Sequence, residues 1–205
     1  MKIGLIFECG PQGADKLVCE YLASQLRPGV QLVSSTLDNK PNLLAEAGKV
    51  AARLLADGCA CVLIVWDLRP AWPDKKSKPC RHDERQALLL ALQQAGVTVN
   101  QPVYLICIEQ ELESWILADE KKISDFLSTA AHPYSADKVS KPDRIQNPKS
   151  VMLNHFKMAP RGSRYEDRIH AVKILSQNPL DLKKMRRSAS FARFESKLMA
   201  CGVPA

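Results

Sequence analysis

The chain has 205 residues, of which 46% are hydrophobic and 25% are charged. These proportions are typical of a folded globular protein and exclude a disordered chain, which has too few apolar side chains to form a core. No apolar run approaches the roughly 20 residues that a membrane helix needs, and Met1 leads into a strand-like segment without a signal-peptide pattern. We therefore expect a soluble cytoplasmic protein with no membrane partner.

Strand-like and helix-like segments alternate from the first residues onward. Lys2–Phe7 is an apolar run that ends in Glu8 and a Gly-Pro turn, and Ala14–Leu26 has apolar residues at helical spacing. The alternation continues with a weak strand at residues 30–34, a helix at 43–55, a central strand at 59–66, a helix at 81–95 and a strand at 103–108. This order predicts an α/β fold with a mostly parallel, four-stranded, Rossmann-like sheet and helices on both faces.

The pattern changes near residue 131, where prolines and basic residues become frequent. Short helices are expected near residues 149–158, 165–176 and 190–199, so we predict an α/β domain over residues 1–130 and a basic helical extension packed on it over residues 131–205. The net charge is +7, and most of the excess lies between Lys138 and Lys197. Such a region favours a nucleic-acid partner, although a solvated basic face has the same composition.

Seven cysteines are scattered through the chain, mostly inside apolar stretches. We interpret them as reduced thiols of the core. A structural zinc site is not expected, because no second pair of Cys or His lies at ligand spacing from Cys59 and Cys61.

Carboxylates follow three of the predicted strands. They are Glu8, Asp67 and the group Glu109, Glu111 and Glu113. The carboxyl ends of parallel strands meet at one edge of a sheet, and carboxylate oxygens are the ligands that Mg²⁺ and Mn²⁺ prefer. The alternative for any one of these acids is that it starts a loop or a helix.

Several short segments resemble motifs of the TOPRIM (topoisomerase–primase) family. Residues 5–10, with the acidic helix start at 15–17, look like the first TOPRIM motif, and residues 62–67 resemble the strand of the second. Residues 111–119 are similar to a Glu-x-Trp-x-x-x-Asp signature of small TOPRIM-like proteins related to the overcoming-lysogenization-defect (OLD) nucleases, and residues 165–198 look like their tail. The resemblance implies a TOPRIM-like domain and a metal-dependent nuclease.

The resemblance also implies roles for particular residues. The implied ligands of Mg²⁺ or Mn²⁺ are Glu8, Asp67, Glu111 and Glu113, and the implied catalytic residues are Glu8, Asp67, Glu113 and Lys149. Arg69 stands where the second TOPRIM motif has another acid, so either Glu111 or Glu113 replaces that ligand, which we expect, or the metal site is weakened; Asp74 and Asp83 are further candidates. Lys149 is expected near the scissile phosphate, and its alternative is an ordinary lysine at a helix start.

Further positions are candidates for contact with nucleic acid. They are Arg69, Lys157, Arg161, Arg164, His170 and Arg193, and for His170 a structural role is the alternative. Trp66 and Trp115 are expected in the core because their neighbours are apolar, whereas Trp72 lies in a Pro-rich loop and is the better surface candidate for base stacking.

The function expected first is a metal-dependent nuclease that cleaves phosphodiester bonds of DNA or RNA, and the resemblance implies an effector of anti-phage defence. The alternative is a non-catalytic TOPRIM-like subunit that binds nucleic acid or an ABC- or AAA-type ATPase partner. A flavodoxin-like or Rossmann-like small-molecule binder ranks third, because the turn from Gly10 to Gly13 is a poor match for a phosphate-binding loop. The sequence does not fix the oligomeric state, and a homodimer is one candidate.

Overall fold

The computed structural model describes residues 1–71, 78–98, 100–160 and 162–202. The chain forms two compact units, one of Met1–Ile108 with Arg193–Ala205 and the other of Glu109–Ala192. The predicted boundary after residue 130 lies within the second unit and stays a prediction.

The first unit is built on a four-stranded sheet. Its strands are β1 (Lys2–Phe7), β2 (Gln31–Thr36), β3 (Cys61–Asp67) and β4 (Val103–Ile108), in the spatial order β2-β1-β3-β4. Every neighbouring pair is parallel. The predicted α/β fold with a parallel sheet is therefore confirmed.

One face of this sheet is covered by α2 (Lys40–Ala56) and α3 (Arg81–Gln94). Ile64 of β3 lies in one apolar cluster with side chains of both helices. Gly48 allows the two helices to approach closely, because a Cβ there would lie 2.0 Å from the carbonyl oxygen of Ala91. The sheet and these two helices therefore share a tightly packed apolar layer.

The opposite face is covered by α1 (Ala14–Leu26) and by residues 193–202, which include most of α9 (Ala189–Ala200). Connections between parallel strands are right-handed. Because the chain moves from β1 to β2 in one direction and from β2 to β3 in the other, α1 and α2 lie on opposite faces. Arg27, which follows α1, donates a hydrogen bond to the carbonyl oxygen of Cys201 at 2.6 Å, so α1 and the C-terminal residues share a face.

The cysteine prediction is wrong for three positions. Cys61 and Cys201 form a disulfide with a Cα–Cα distance of 5.5 Å, because the fold places the start of β3 beside the residue that follows α9, 140 positions later in the sequence. Cys80 is exposed at the start of α3 rather than buried in the core. The remaining free thiols are Cys9, which is half-buried, and Cys19, Cys59 and Cys107, which are buried.

Short helices make up the second unit. They are α4 (Glu113–Ile116), α5 (Glu120–Leu127), a 3-10 turn (Pro142–Arg144), α6 (Pro148–Met158), α7 (Asp167–Leu175), α8 (Leu182–Met185) and the first residues of α9. Trp115 is fully buried and its Nε1 donates a hydrogen bond to Ser190 Oγ at 2.7 Å, which confirms the predicted core position. Within the described ranges, none of the helices of either unit combines the length and apolar character needed to cross a bilayer.

Candidate functional site

The strand order of the first unit reverses between β1 and β3. At such a point the loops leave adjacent strands in opposite directions, and a crevice opens beyond the carboxyl ends of the strands. Glu8 directly follows β1 and Asp67 is the last residue of β3. The fold therefore brings these two predicted site residues to the crevice.

Glu8 has two oxygens in different environments. The backbone N–H of Asp67 donates a hydrogen bond to Glu8 Oε1 at 3.3 Å. Glu8 Oε2 is buried and accepts no hydrogen bond within the described part of the chain. Burial raises the pKa of Glu8 to about 8, the Lys40 charge opposes this rise and Asp15 adds to it. At neutral pH the carboxyl is therefore mostly protonated unless a cation compensates its charge.

A cavity of about 620 Å³, here called the Glu8 cavity, lies against this carboxyl. Asp15, in the first turn of α1, and Asp38, in the loop before α2, also line it. Cavities of this size hold small ligands or parts of larger ones. The acidic lining favours a cation over an anion.

Lys40, the first residue of α2, anchors the turn that follows β3. Its Nζ lies 2.7 Å from the carbonyl oxygen of Asp67, 3.1 Å from that of Leu68 and 2.9 Å from that of Pro70. It also forms an ion pair with Glu84 Oε1 at 3.0 Å, and both side chains are only 6% exposed. An ammonium has three donors. Lys40 is thus fully engaged by the protein.

Glu84 of α3 is held in turn by Trp66, whose Nε1 donates a hydrogen bond to Glu84 Oε2 at 2.8 Å. Trp66 is 2% exposed, so its predicted core position is confirmed. Lys40 and Glu84 were not predicted from the sequence. No local signal marks them, because their partners are backbone carbonyls and residues of distant elements.

The Glu8 cavity suits a metal ion that keeps water and substrate ligands better than one bound only by protein side chains. Mg²⁺ commonly keeps several waters and is held by about one or two carboxylates together with substrate phosphates. Glu8 and Asp15 line the cavity and can supply two carboxylates, the buried Glu8 Oε2 is an oxygen donor of the required kind, and the metal role of Asp67 stays a prediction. Among the residues that the structure describes, no group of three or more His, Cys, Asp or Glu is placed to hold a metal ion. The residues therefore fit an ion that keeps water and substrate ligands, not one enclosed by protein.

The second unit contains another group of charged residues, here called the Lys149 cluster. It consists of Glu111, Glu113, Lys149 and Asp167. The backbone N–H of Lys149 donates a hydrogen bond to Glu111 Oε2 at 3.1 Å, and Lys149 Nζ forms an ion pair with Asp167 Oδ2. Glu113, the first residue of α4, is only 3% exposed. Three of the predicted site residues thus lie together here.

Burial and charge set the protonation of the Lys149 cluster. Burial raises the pKa of Glu113 to about 7, against the opposing charge of Lys149. Partial burial lowers the pKa of Lys149, but its hydrogen bond to Asp167 and the charge of Glu113 outweigh this effect and raise it. Asp167 was missed in the sequence analysis, although Glu166 and Asp167 are the only acids between residues 144 and 179.

The candidate nucleic-acid contacts lie in several environments. Lys157 and Arg164 of the second unit are exposed, whereas Arg69 in the first unit is half-buried in the turn after β3. In the first unit, Arg193 donates a hydrogen bond to the carbonyl oxygen of Cys107 at 3.3 Å. Of the other candidates, Arg161, Trp72 and Asp74 lie outside the described residues, and Asp83 is exposed in the first turn of α3.

His170 is half-buried in an aromatic cluster of the second unit. Its ring centroid lies 4.8 Å from that of Phe156 and 6.0 Å from that of Tyr165. Its Nδ1 accepts a hydrogen bond from the backbone N–H of Glu166 at 2.9 Å. These contacts support the structural alternative, and its contact with nucleic acid stays a prediction.

The fold and these two groups of residues define a parallel α/β protein with an acidic cavity at its strand-order reversal. The model of the domain of unknown function DUF4276 matches residues 12–199, so the chain belongs to the DUF4276 family. Comparison with curated proteins found no match, and neither did comparison with solved structures. The resemblance to TOPRIM and OLD proteins and the metal roles of Glu111 and Glu113 stay predictions.

Proposed function

We propose that this protein is a nuclease that uses Mg²⁺ or Mn²⁺ to cleave phosphodiester bonds of DNA or RNA. The observation that supports this most is the position of Glu8 beside Asp67 at the strand-order reversal, with one buried oxygen that accepts no hydrogen bond from the described residues. A divalent cation would satisfy that oxygen and compensate its charge. The same crevice in other parallel α/β proteins is where ligands bind.

In this proposal, the residues that bind the ion and hold the site in place belong to the first unit. When bound, a divalent ion polarises the phosphodiester and stabilises the negative charge that develops on it. Glu8 would hold the ion as a carboxylate, and the backbone N–H of Asp67 keeps that carboxylate oriented. Lys40 fixes the turn that follows Asp67 through its contacts with the Asp67, Leu68 and Pro70 carbonyls.

The charge of the protein supports a polyanionic substrate. The net charge is +7, and basic side chains such as Lys157 and Arg164 are exposed to solvent. Phosphate contacts of this kind give affinity without sequence readout. DNA and RNA both meet this requirement.

The test compares cleavage of labelled DNA and RNA with Mn²⁺, with Mg²⁺ and with EDTA. We expect metal-dependent cleavage that Glu8→Gln reduces by about 100-fold or more, because loss of a direct ligand should exceed the effect of losing an outer-shell partner. Glu46→Gln is the matched control, since Glu46 is an exposed acid of the same unit that forms an ion pair with Lys49. Cleavage that is equally fast in both variants would contradict the proposal.

A non-catalytic nucleic-acid-binding subunit is the second candidate. It is favoured by the lack of a three-ligand group among the described residues and by Arg69, which stands where the resembling motif has an acid. Calorimetry separates the two functions. A nuclease site binds Mn²⁺ and loses that binding in Glu8→Gln, whereas a non-catalytic subunit binds DNA equally well in EDTA and gives no Mn²⁺ signal at the Glu8 cavity.

A further inference from the structure

Lys149 is held at its backbone end by Glu111. It lies in the first turn of α6, where backbone N–H groups have no partner within the helix. The Lys149 N–H donates to Glu111 Oε2 at 3.1 Å, so the carboxylate serves as a cap for this helix start. The origin of the Lys149 side chain is therefore fixed.

The other end of Lys149 is less constrained. Its Nζ pairs with Asp167 Oδ2 in the first turn of α7, and the two side chains are 45% and 28% exposed. Ion pairs that water reaches contribute little to stability, because solvent screens the attraction and the long lysine side chain loses freedom. The ammonium can therefore exchange Asp167 for another anion at low cost.

Asp167 does not depend on Lys149 for its own position. Its Oδ1 accepts a hydrogen bond from the backbone N–H of Arg168 at 2.7 Å. Partial burial raises the pKa of Asp167, but the hydrogen bond from Lys149 and the nearby positive charges, including that of Arg168, outweigh this effect and lower it. The carboxylate is thus fixed and ionised, and the flexible lysine stem is the part that can move.

We propose that Asp167 occupies the Lys149 ammonium in the free protein and that a phosphate of the nucleic acid displaces Asp167 from it, which extends the phosphate role that the resemblance implies for Lys149. Asp167 is then a positioning residue, which holds the ammonium extended and competes with the incoming phosphate. The identity of the phosphate as part of a nucleic acid rests on the proposed function. The exposed Arg168 next to Asp167 adds positive charge for the same anion.

The test measures binding in EDTA of a short fluorescein-labelled single strand of DNA by fluorescence anisotropy. We expect Asp167→Asn to raise the affinity about three- to fivefold, the range of an exposed ion pair, because the ammonium is released and a repelling charge is removed. The control is Asp125→Asn, since Asp125 belongs to the same unit, pairs with Lys121 and changes the net charge equally. The double variant Lys149→Met/Asp167→Asn should not show this increase in affinity.

A second readout separates an exchangeable contact from a structural one. The logarithm of the affinity falls with the logarithm of the salt concentration, with a slope of about 0.7 for each phosphate contact on single-stranded DNA. Asp167→Asn should steepen this slope relative to Asp125→Asn, and the double variant should restore it. Thermal unfolding of each variant verifies that the protein is folded.

Several outcomes would overturn the inference. They are an Asp167→Asn gain no larger than that of Asp125→Asn, a gain that persists without Lys149, and no DNA binding by any variant. Because EDTA is present, none of these measurements requires cleavage. Failure of the proposed function is instead read from Mn²⁺-dependent cleavage and its response to Glu8→Gln, so the two failures are distinguishable.

Discussion

Lys40 of the first unit and Lys149 of the second both lie in the first turn of a helix and both pair with a carboxylate. Their surroundings differ. Lys40 and Glu84 are each 6% exposed, and Lys40 also contacts three backbone carbonyls. The Lys149 side chain is 45% exposed, and its ammonium pairs with Asp167.

This difference separates two uses of an ion pair. A buried charge must be fully compensated, because leaving it without partners in a low-dielectric interior is costly. Lys40 therefore belongs to the architecture that holds the turn after β3. An exposed pair is weak and can exchange partners, so Lys149 is suited to bind an incoming anion.

Lys40→Met is expected to change the free energy of unfolding more than any other variant considered. It removes the charge that compensates Glu84 and leaves the Asp67, Leu68 and Pro70 carbonyls without their shared donor. We expect the free energy of unfolding to fall by about 3–5 kcal/mol, as measured by urea denaturation. A loss below about 1 kcal/mol, the range of an exposed pair, would make Lys40 equivalent to Lys149.

The double variant Lys40→Met/Glu84→Gln keeps this prediction testable if the single variant does not fold. Removing both charges avoids an uncompensated carboxylate at Glu84, and the amide oxygen that replaces it can still accept the hydrogen bond from Trp66. We expect the double variant to recover part of the lost stability. Recovery would assign the loss to the uncompensated charge rather than to the shape of the new side chain.

An intermediate effect on the free energy of unfolding is expected from the titration of Glu113. Glu84 has partners at both oxygens, whereas Glu113 Oε1 is buried and accepts no hydrogen bond from the described residues. Burial raises the pKa of Glu113 from 4.5 to about 7, despite the nearby Lys149 charge. The protonated form is therefore favoured by folding.

The contribution of Glu113 to stability is complete below pH 4.5 and is lost as the pH rises to about 7. In EDTA, the free energy of unfolding of the wild type should fall more steeply over this range than that of Glu113→Gln, by at most about 1.4 kcal/mol per pH unit. Urea denaturation at several pH values measures the difference. Glu166→Gln, at an exposed acid of the same unit, should retain the wild-type slope.

Much of the fold was predictable because hydrophobic periodicity depends on local sequence. The apolar run at residues 59–66 and the helical spacing in Ala14–Leu26 predicted the elements observed as β3 (Cys61–Asp67) and α1. The carboxyl-edge rule for parallel sheets then placed Glu8 and Asp67 at one edge, and the hydrogen bond from the Asp67 N–H to Glu8 agrees with it. These inferences needed no knowledge of long-range pairing.

The missed residues are those whose role depends on distant partners. Lys40 lies before the helix predicted at residues 43–55, and its role depends on the fold, which brings Glu84 and the turn after β3 to it. The disulfide between Cys61 and Cys201 joins residues 140 positions apart, and no spacing rule predicts such a pair. Asp167 had a weak signal as one of two acids in a basic segment, but its ion pair with Lys149 required the packing of the second unit.

The smallest expected effect on stability is that of Lys149→Met. Because water reaches the pair with Asp167, the free energy of unfolding should change by less than about 1 kcal/mol. Lys121→Met is the matched control, since Lys121 forms an exposed pair with Asp125 in the same unit. The affinity for single-stranded DNA in EDTA should nevertheless fall further in Lys149→Met than in the control. If Lys149→Met instead destabilises the protein as much as Lys40→Met does, the Lys149 pair is architectural and the exchange of Asp167 for phosphate is wrong.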